Sequence, residues 1–209
     1  MKLNTIVCGD CLELMRGMDD NSVDLVLTDP PYNINFKYDA YVDTKTDTAY
    51  VTWCRNWFSQ LKRISNIIVI TVGTMNMIKW LSIEEPQKIL MWYKKNSMTG
   101  AKCGGINAWE PILIYGNKKD IKIGFDVIEC LISHQKDIGN HPCPKPIKLF
   151  RELLLKLTKE NDIILDPFLG SGTTAVACKQ LHRNYIGIEI SPEYCKIANN
   201  RLAQGVLDI

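Results

Sequence analysis

The chain has 209 residues, of which 46% are hydrophobic and 23% are charged, and its formal net charge is +2. This length fits one domain with a substantial core, and the composition excludes disordered and fibrous proteins. No apolar run approaches the roughly 18 residues that a membrane helix needs, and the first residues lack a signal-peptide core. We therefore expect a cytoplasmic protein with no membrane partner, in which any nucleic-acid surface depends on local clusters of lysine and arginine.

Eight cysteines are spread along the chain, mostly inside apolar segments, which favours buried free thiols. They are found at positions 8, 11, 54, 103, 130, 143, 178 and 195. Only Cys8 and Cys11 have the spacing of a zinc or redox pair, and a structural zinc would need two more ligands. We therefore expect no metal.

A first short strand is predicted at 4–8, and Asp10 follows its end. This is a common position for a ligand-binding residue in open parallel sheets. A helix N-cap is the competing interpretation, because Asp is a preferred cap residue.

The apolar run from Val23 to Leu27 predicts a buried strand that two prolines stop abruptly. It leads into Thr28, Asp29, Pro30, Pro31, Tyr32 and Asn33. Neither proline has an N–H, so the backbone after Asp29 is stiff and presents carbonyl oxygens without donors. A carboxylate, a carbonyl and the Tyr32 ring within one turn suit a flat substrate that bears an amino group. A plain turn with an exposed aspartate is the alternative.

The middle of the chain alternates between polar loops and apolar elements. Segment 33–47 has no clear period and is either a lid beside the site or a surface excursion. A helix follows, with an aromatic stripe that includes Trp53 and Trp57 and that most simply packs in the core. Strands are then predicted at 66–71, 88–93 and 110–115. The last two are joined without a helix, which indicates an antiparallel pair at one edge of the sheet.

Six lysines between Lys94 and Lys122 stand against only Glu110 and Asp120. Lysines on a flexible connection suit contact with phosphates, because they displace condensed counterions. A solvated sheet edge, protected by lysine from aggregation, is an equally good interpretation.

The last third of the chain contains a glycine-rich turn between a strand at 162–166 and a helix that ends near Leu181. Glycines let the backbone approach a ligand closely where free N–H groups favour carboxylate or phosphate. The turn is neither a P-loop nor the G-x-G-x-x-G pattern of nicotinamide sites. The next strand, 184–190, brings Glu189 about twenty residues after the glycines, where an acid can bind both hydroxyls of a ribose.

The segment from Asp29 to Tyr32 resembles the catalytic motif of DNA amino-methyltransferases, which methylate the exocyclic nitrogen of adenine or cytosine with S-adenosylmethionine. The turn at 166–174 resembles the cofactor loop of that family, and strand 184–189 its ribose-binding strand. Gly9 and Asp10 resemble the element that holds the cofactor's adenine, and segment 141–146 the part that lines its methionine end. The order of these motifs is that of the permuted β group.

This resemblance implies a circularly permuted α/β fold of class I methyltransferase type. We expect a single domain over 1–209, built on one open, mostly parallel seven-stranded sheet with helices on both faces and an antiparallel edge. The strands that end at Asp29 and Asp166 would be neighbours. Short target-recognition insertions are expected at 33–47, 96–109 and 117–140, so recognition of DNA involves a very short site or is shared in a homodimer or with a recognition subunit.

The resemblance also implies the roles of individual residues. The catalytic residues would be Asp29, Pro30, Pro31 and Tyr32. The cofactor-binding residues would be Asp10, Cys11, Asp29, His141, Lys145, Asp166, Pro167, Phe168, Gly170, Ser171, Gly172, Thr173, Glu189 and Ile190.

In the implied reaction, Asp29 and the Pro30 carbonyl accept the hydrogens of a flipped base and aim its amino lone pair at the sulfonium methyl. Aspartate at the first motif position favours adenine N6. Cytosine N4 methylation and a non-catalytic DNA-binding partner of another methyltransferase are the alternatives, and a restriction-modification system is the expected setting.

Overall fold

The computed structural model describes residues 1–36, 38, 40–41, 43–98, 100, 104–117, 123–132 and 144–204. Within these ranges the strands are β1 (Thr5–Cys8), β2 (Leu25–Thr28), β3 (Ile67–Thr71), β4 (Lys88–Tyr93), β5 (Trp109–Gly116), β6 (Val127–Glu129), β7 (Ile163–Asp166) and β8 (Asn184–Glu189). The α-helices there are α1 (Cys11–Arg16), α2 (Asp47–Ile64), α3 (Met77–Leu81), α4 (Ile147–Leu157), α5 (Thr173–Gln180) and α6 (Pro192–Ala203). A 3₁₀ turn, Thr74–Asn76, precedes α3.

The strands form one sheet in the order β1-β8-β7-β2-β3-β5-β4-β6. Only β5 runs against its neighbours, since it pairs antiparallel with both β3 and β4. The predicted antiparallel pair is confirmed, although the reversed strand lies third from the edge.

The predicted number of seven strands is wrong, because β6 adds an eighth at the edge, parallel to β4. This strand has three residues and one buried side chain, which is too short for the alternation of apolar and polar residues to be recognised. The sequence pattern therefore left the segment ambiguous. The strand also lies inside the segment 117–140 that was expected to be a recognition insertion.

Strands β2 and β7 lie side by side and parallel, with Leu25 opposite Ile164 and Val26 opposite Leu165. The prediction that the strands leading to Asp29 and Asp166 are adjacent in the sheet is therefore confirmed. All four residues of β2 are buried, because a central parallel strand is covered on both faces, which explains its continuous apolar sequence.

Helices cover both faces of the sheet, as predicted. On one face, α1, α2 and α3 pack against side chains such as Val26 and Ile68. On the other, α4 and α5 pack against their neighbours Leu25 and Ile67, and α6 packs against α5. Successive residues of a strand point to opposite faces, so each strand supplies both cores.

The described part of the chain contains no helix that is long and apolar enough to cross a membrane. The predicted burial of the thiols is confirmed for Cys11, Cys54, Cys130, Cys178 and Cys195, whereas Cys8 is exposed. Cys103 and Cys143 lie outside the described residues.

Candidate active site

A cavity of about 460 Å³ opens at the carboxyl ends of the parallel strands. Most of the predicted site residues line it: Asp10, Cys11, Asp29, Pro30, Pro31, Tyr32, Lys145, Asp166, Pro167, Phe168, Gly170, Ser171, Thr173, Glu189 and Ile190. Gly172 is absent from the lining, and His141 lies outside the described residues. The two distant motifs therefore face one space, where ligands bind in open α/β sheets.

Asp29 follows the end of β2 and is held by three side chains that converge on its Oδ1 atom. The hydroxyl of Tyr32 donates to it at 2.7 Å, and the hydroxyl of Thr71 also donates to it. The ammonium of Lys145 lies 3.4 Å from the same atom. Among the described residues nothing binds Oδ2, which is the carboxylate oxygen left for a ligand.

The backbone carbonyls of the motif differ in whether they already accept a hydrogen bond. The Pro31 carbonyl accepts the Tyr50 hydroxyl at 2.9 Å, and the Tyr32 carbonyl accepts the side-chain amide of Asn76. No described residue donates to the Pro30 carbonyl. The two prolines supply no donors, so this oxygen is the acceptor that the motif presents beside Asp29.

A chain of buried ion pairs runs away from Asp29 through Lys145. The Lys145 ammonium lies 2.7 Å from Glu110 Oε2 and 3.0 Å from the Tyr32 hydroxyl. The other oxygen of Glu110 binds the ammonium of Lys94 at 2.7 Å. Both ammonium groups lie within about 5.3 Å of the Trp92 ring, at cation–π distance.

These pairings change the acidity of the groups in opposite directions. Burial raises the pKa of the Asp29 carboxyl, and the opposing effect of Lys145 does not cancel the rise. Burial also acts to raise the pKa of Glu110, but Lys145 and Lys94 lower it to about 2. For Lys145, burial is outweighed by the carboxylates of Asp29 and Glu110, which raise its pKa. Glu110 is therefore ionised, with a cation on each oxygen.

At the other end of the cavity, Glu189 ends β8 and Asp10 follows the paired strand β1. Asp10 caps helix α1, because its Oδ1 accepts the N–H groups of Leu12 and Glu13 at 2.9 and 3.1 Å. The N-cap interpretation is confirmed, and the same residue also lines the cavity. Glu189 accepts the N–H of Gly170 at 2.7 Å on one oxygen and that of Ser191 at 2.8 Å on the other. Each oxygen keeps a lone pair that could accept a hydroxyl.

The glycine-rich turn is fixed from behind. Gly172 has φ +88°, and a Cβ atom there would lie 2.8 Å from the Cβ of Ala198 on α6. The guanidinium of Arg201 donates to the Ser171 carbonyl at 2.6 Å and to its hydroxyl at 3.1 Å. Gly172 thus supports the turn that lines the cavity without reaching the cavity itself.

Asp166 is the last residue of β7, which runs beside β2, and its side chain is almost fully buried. It accepts the hydroxyls of Thr28 and Thr174 and the N–H of Phe168. Burial raises the pKa of its carboxyl to about 7, although these donors act to lower it. The side chain ties β2, β7 and α5 together at the floor of the cavity.

Aromatic side chains form one wall of the cavity. Phe168 packs against Trp53 at 5.6 Å, and Trp53 packs against Tyr41 at 5.5 Å. The hydroxyl oxygen of Tyr41 is buried and has no hydrogen-bond partner among the described residues. The stripe on α2 therefore does more than fill the core, since Trp53 lines the cavity.

The described residues of segment 33–47 are folded against this wall. Asp43 is 2% exposed and accepts the N–H groups of Asn33, Ile34 and Phe36 at 2.8 to 3.0 Å. Those hydrogen bonds draw the base of the loop together, so that Phe36 and Tyr41 line the cavity. A contact of this loop with DNA stays a prediction.

Sequence reasoning missed Thr71, Lys94 and Glu110. Lys94 was counted among possible phosphate-binding lysines, but its side chain is only 6% exposed and paired with Glu110. Their positions relative to the strands could have identified them. Thr71 ends β3, Lys94 directly follows β4, and Glu110 is the second residue of the reversed strand β5. All three positions belong to the edge of the sheet where the site was expected.

Comparison with known proteins gives a family for this arrangement. A family model described as DNA methylase, of the N6/N4 type, matches residues 23–136 and 125–200. The type II methyltransferase M.HpaI of Haemophilus parainfluenzae is 27% identical over 94% of this chain and 73% of its own length. The DNA adenine methyltransferase YhdJ of Escherichia coli (strain K12) is 28% identical over 95% of this chain and 82% of its own length.

Solved structures show the same fold. The cytosine-N4-specific PvuII DNA methyltransferase superposes with a TM-score of 0.78 at 18% identity, over 98% of this chain and 87% of that one. The complex of M1.HpyAVI with SAM gives a TM-score of 0.69 at 26% identity, over 95% of this chain and 98% of that one. The motifs, the sheet order and these matches agree, and the chain belongs to the DNA methylase family of S-adenosylmethionine-dependent N6/N4 amino-methyltransferases.

Proposed function

We propose that the chain methylates the N6 amino group of adenine in DNA, with S-adenosylmethionine as the methyl donor. The observation that carries this proposal is that Asp29 and the turn containing Gly170 and Ser171 open onto one cavity. A volume of about 460 Å³ is within the usual range for small-molecule sites. Adenine is preferred over cytosine because the motif begins with aspartate, and the relative YhdJ is named as an adenine methyltransferase.

The donor set of the inner cavity fits the cofactor. Glu189 offers two oxygens to a ribose diol. Asp10, which follows β1, and the neighbouring Cys11 line the part of the cavity where the adenine would bind. Phe168 offers an aromatic face, and Gly170 and Ser171 bring backbone close to the ligand. When bound, the cofactor supplies an electrophilic methyl group on a sulfonium.

The residues around Asp29 receive the base and direct its amino nitrogen. Asp29 Oδ2 and the Pro30 carbonyl accept one amino hydrogen each, which turns the lone pair of nitrogen out of the ring plane. Tyr32 presents its ring to the flipped base and thereby offsets part of the cost of unstacking. Transfer leaves the nitrogen with a surplus proton, and Asp29 can take it because burial raises the pKa of this carboxyl.

The test uses cofactor that carries a labelled methyl group. The protein is incubated with it and plasmid DNA, the DNA is digested to nucleosides, and these are separated by chromatography. Label in N6-methyldeoxyadenosine is expected. Label in N4-methyldeoxycytidine would overturn the choice of base, and unlabelled DNA would overturn the proposed reaction.

The setting of the reaction is part of the same proposal. We place the enzyme in the cytoplasm, as the modifying partner of a restriction-modification system. Recognition of the DNA site would be completed by a second copy of the chain or by a recognition subunit. Light scattering of the protein with and without a DNA duplex measures self-association, and a monomer under both conditions would overturn pairing with a second copy.

A further inference from the structure

The ion pairs beyond Asp29 form a cluster, at one end of the cavity, in which positive and negative charges balance. Lys94 and Lys145 carry two positive charges, and Asp29 and Glu110 carry two negative charges. All four residues line the same cavity. The side chains of Lys94, Lys145 and Glu110 are only 6%, 12% and 17% exposed, so solvent screens them weakly.

The pairings identify Glu110 as the residue on which this balance depends. Each of its carboxylate oxygens binds one ammonium group at 2.7 Å. Among the cations that the structure describes, Asp29 lies within ion-pair distance of Lys145 alone, at 3.4 Å. Without Glu110, the cluster would hold two cations and one anion, and Lys94 would keep no carboxylate within ion-pair distance among the described residues.

The balance matters because the methyl donor is a cation, whereas its thioether product is neutral. A surplus buried cation in this cluster would repel the sulfonium bound in the same cavity, since unit charges interact strongly at low effective dielectric. The product lacks this charge and would be much less affected. On the basis of the function proposed above, we propose that Glu110 sets the preference of the cavity for the cationic cofactor over the neutral product.

This role differs from a purely structural one. If Glu110 had only a structural role, breaking its ion pairs would loosen the packing and weaken the binding of both ligands by a similar factor. A charge-balancing residue changes the ratio of the two affinities, because only one ligand is charged. The ratio of the dissociation constants for S-adenosylhomocysteine and S-adenosylmethionine is therefore the quantity to measure.

Four proteins form the test, each titrated calorimetrically with both ligands. Glu110→Gln keeps the shape of the side chain and removes one negative charge, and we expect the ratio to fall about tenfold. Lys94→Met removes one positive charge, and the ratio should rise. The double variant Lys94→Met with Glu110→Gln restores neutrality, and its ratio should return to within about twofold of the parent.

A matched control breaks an ion pair on the surface. Glu129→Gln disrupts the pair of Glu129 with Lys95, whose side chains are 57% and 68% exposed, and should leave the ratio unchanged. Since the two single variants shift the charge in opposite directions, either one tests the inference if the other does not fold. A ratio that stays constant across the variants would overturn the role of Glu110. Failure of the parent to bind either ligand would instead overturn the proposed cofactor site.

Discussion

The two ends of the cavity are built differently. At the end formed by β1 and β8, carboxylates are held mainly by nearby backbone, as in the bond from the Leu12 N–H to Asp10. At the end around Asp29, the contacts come from distant side chains: Thr71 is 42 residues away, and Lys145 is 113 residues from Tyr32. Local sequence patterns can therefore identify the residues of the first end. At the second end they identify Asp29 and Tyr32, but not the distant side chains that hold them, which arrive only once the sheet has formed.

The largest expected effect is a loss of methyl transfer without a loss of cofactor binding, which would distinguish the roles of the two ends of the cavity. Asp29→Ala removes the acceptor for the amino group and should lower the rate of methyl transfer at least about 10³-fold. The dissociation constant of the cofactor should change by less than about threefold, because the β1–β8 end stays intact. Methyl transfer is measured on plasmid DNA and cofactor binding by calorimetry.

The control for this change is Asp20→Ala, which removes a 70% exposed carboxylate that does not line the cavity. Its rate should match that of the parent. Activity of Asp29→Ala equal to the parent would remove Asp29 from the mechanism, and loss of cofactor binding would show that the two ends are not separable.

A substitution behind the glycine-rich turn probes the other end. In Gly172→Ala, the new Cβ would meet Ala198 at 2.8 Å in a backbone conformation that favours glycine. We expect the affinity for the cofactor to fall about tenfold and the free energy of unfolding to fall by about 1–3 kcal/mol. Gly124→Ala is the matched control, because a Cβ at Gly124 would meet no atom of the described part of the chain within 4 Å. Equal affinities of the two variants would show that the turn tolerates displacement.

The pH dependence of stability tests the carboxylate between the two ends. The pKa of Asp166 is about 7 in the folded protein, above that of an unfolded aspartate near 3.9. The folded state therefore holds a proton that the unfolded state releases, and stability is lost as pH rises from about 4 to 7. From pH 5 to 8, this single group should lower the free energy of unfolding by about 2–3 kcal/mol.

Asp166→Asn removes this titration and keeps the shape of the side chain. Urea unfolding at several pH values should therefore give a flatter profile for the variant than for the parent. Parallel profiles would show that Asp166 does not titrate in this range. The comparison isolates Asp166 from Glu189 and Asp29, whose pKa values are also raised by burial.

The smallest expected effect concerns the aromatic wall. The buried hydroxyl of Tyr41 has no partner among the described residues, and burial and Asp43 raise its pKa, so it stays a hydrogen-bond donor. If a bound cofactor accepts this bond, Tyr41→Phe should weaken its binding about three- to tenfold. Tyr115→Phe is the control. The Tyr115 hydroxyl is also buried and has no partner within the described ranges, but Tyr115 does not line the cavity. Equal affinities of the two variants would exclude Tyr41 from cofactor binding.

The difference between the two ends also explains how far the sequence could be interpreted. The strand before Asp29, the glycine-rich turn and Glu189 each lie in a short pattern, and the structure gathers them at one edge of one sheet. Thr71, Lys94 and Glu110 carry no local pattern, because their positions follow from the pairing of β3, β5 and β4. Strand β6 stayed ambiguous in the sequence for a related reason, since only its contact with β4 distinguishes it from a loop.

Strand β1 near the start of the chain pairs with β8 near the end of the described region, with Cys8 opposite Glu189. During translation, the strands from β2 to β5 can associate while the partner of β1 is still inside the ribosome. Asp10 would thus remain without its neighbour Glu189 until the last strand emerges. A truncated nascent chain would accordingly have much of its sheet but not the β1–β8 end of the cavity, where we propose that the cofactor's nucleoside binds. Incomplete molecules would then not sequester the methyl donor.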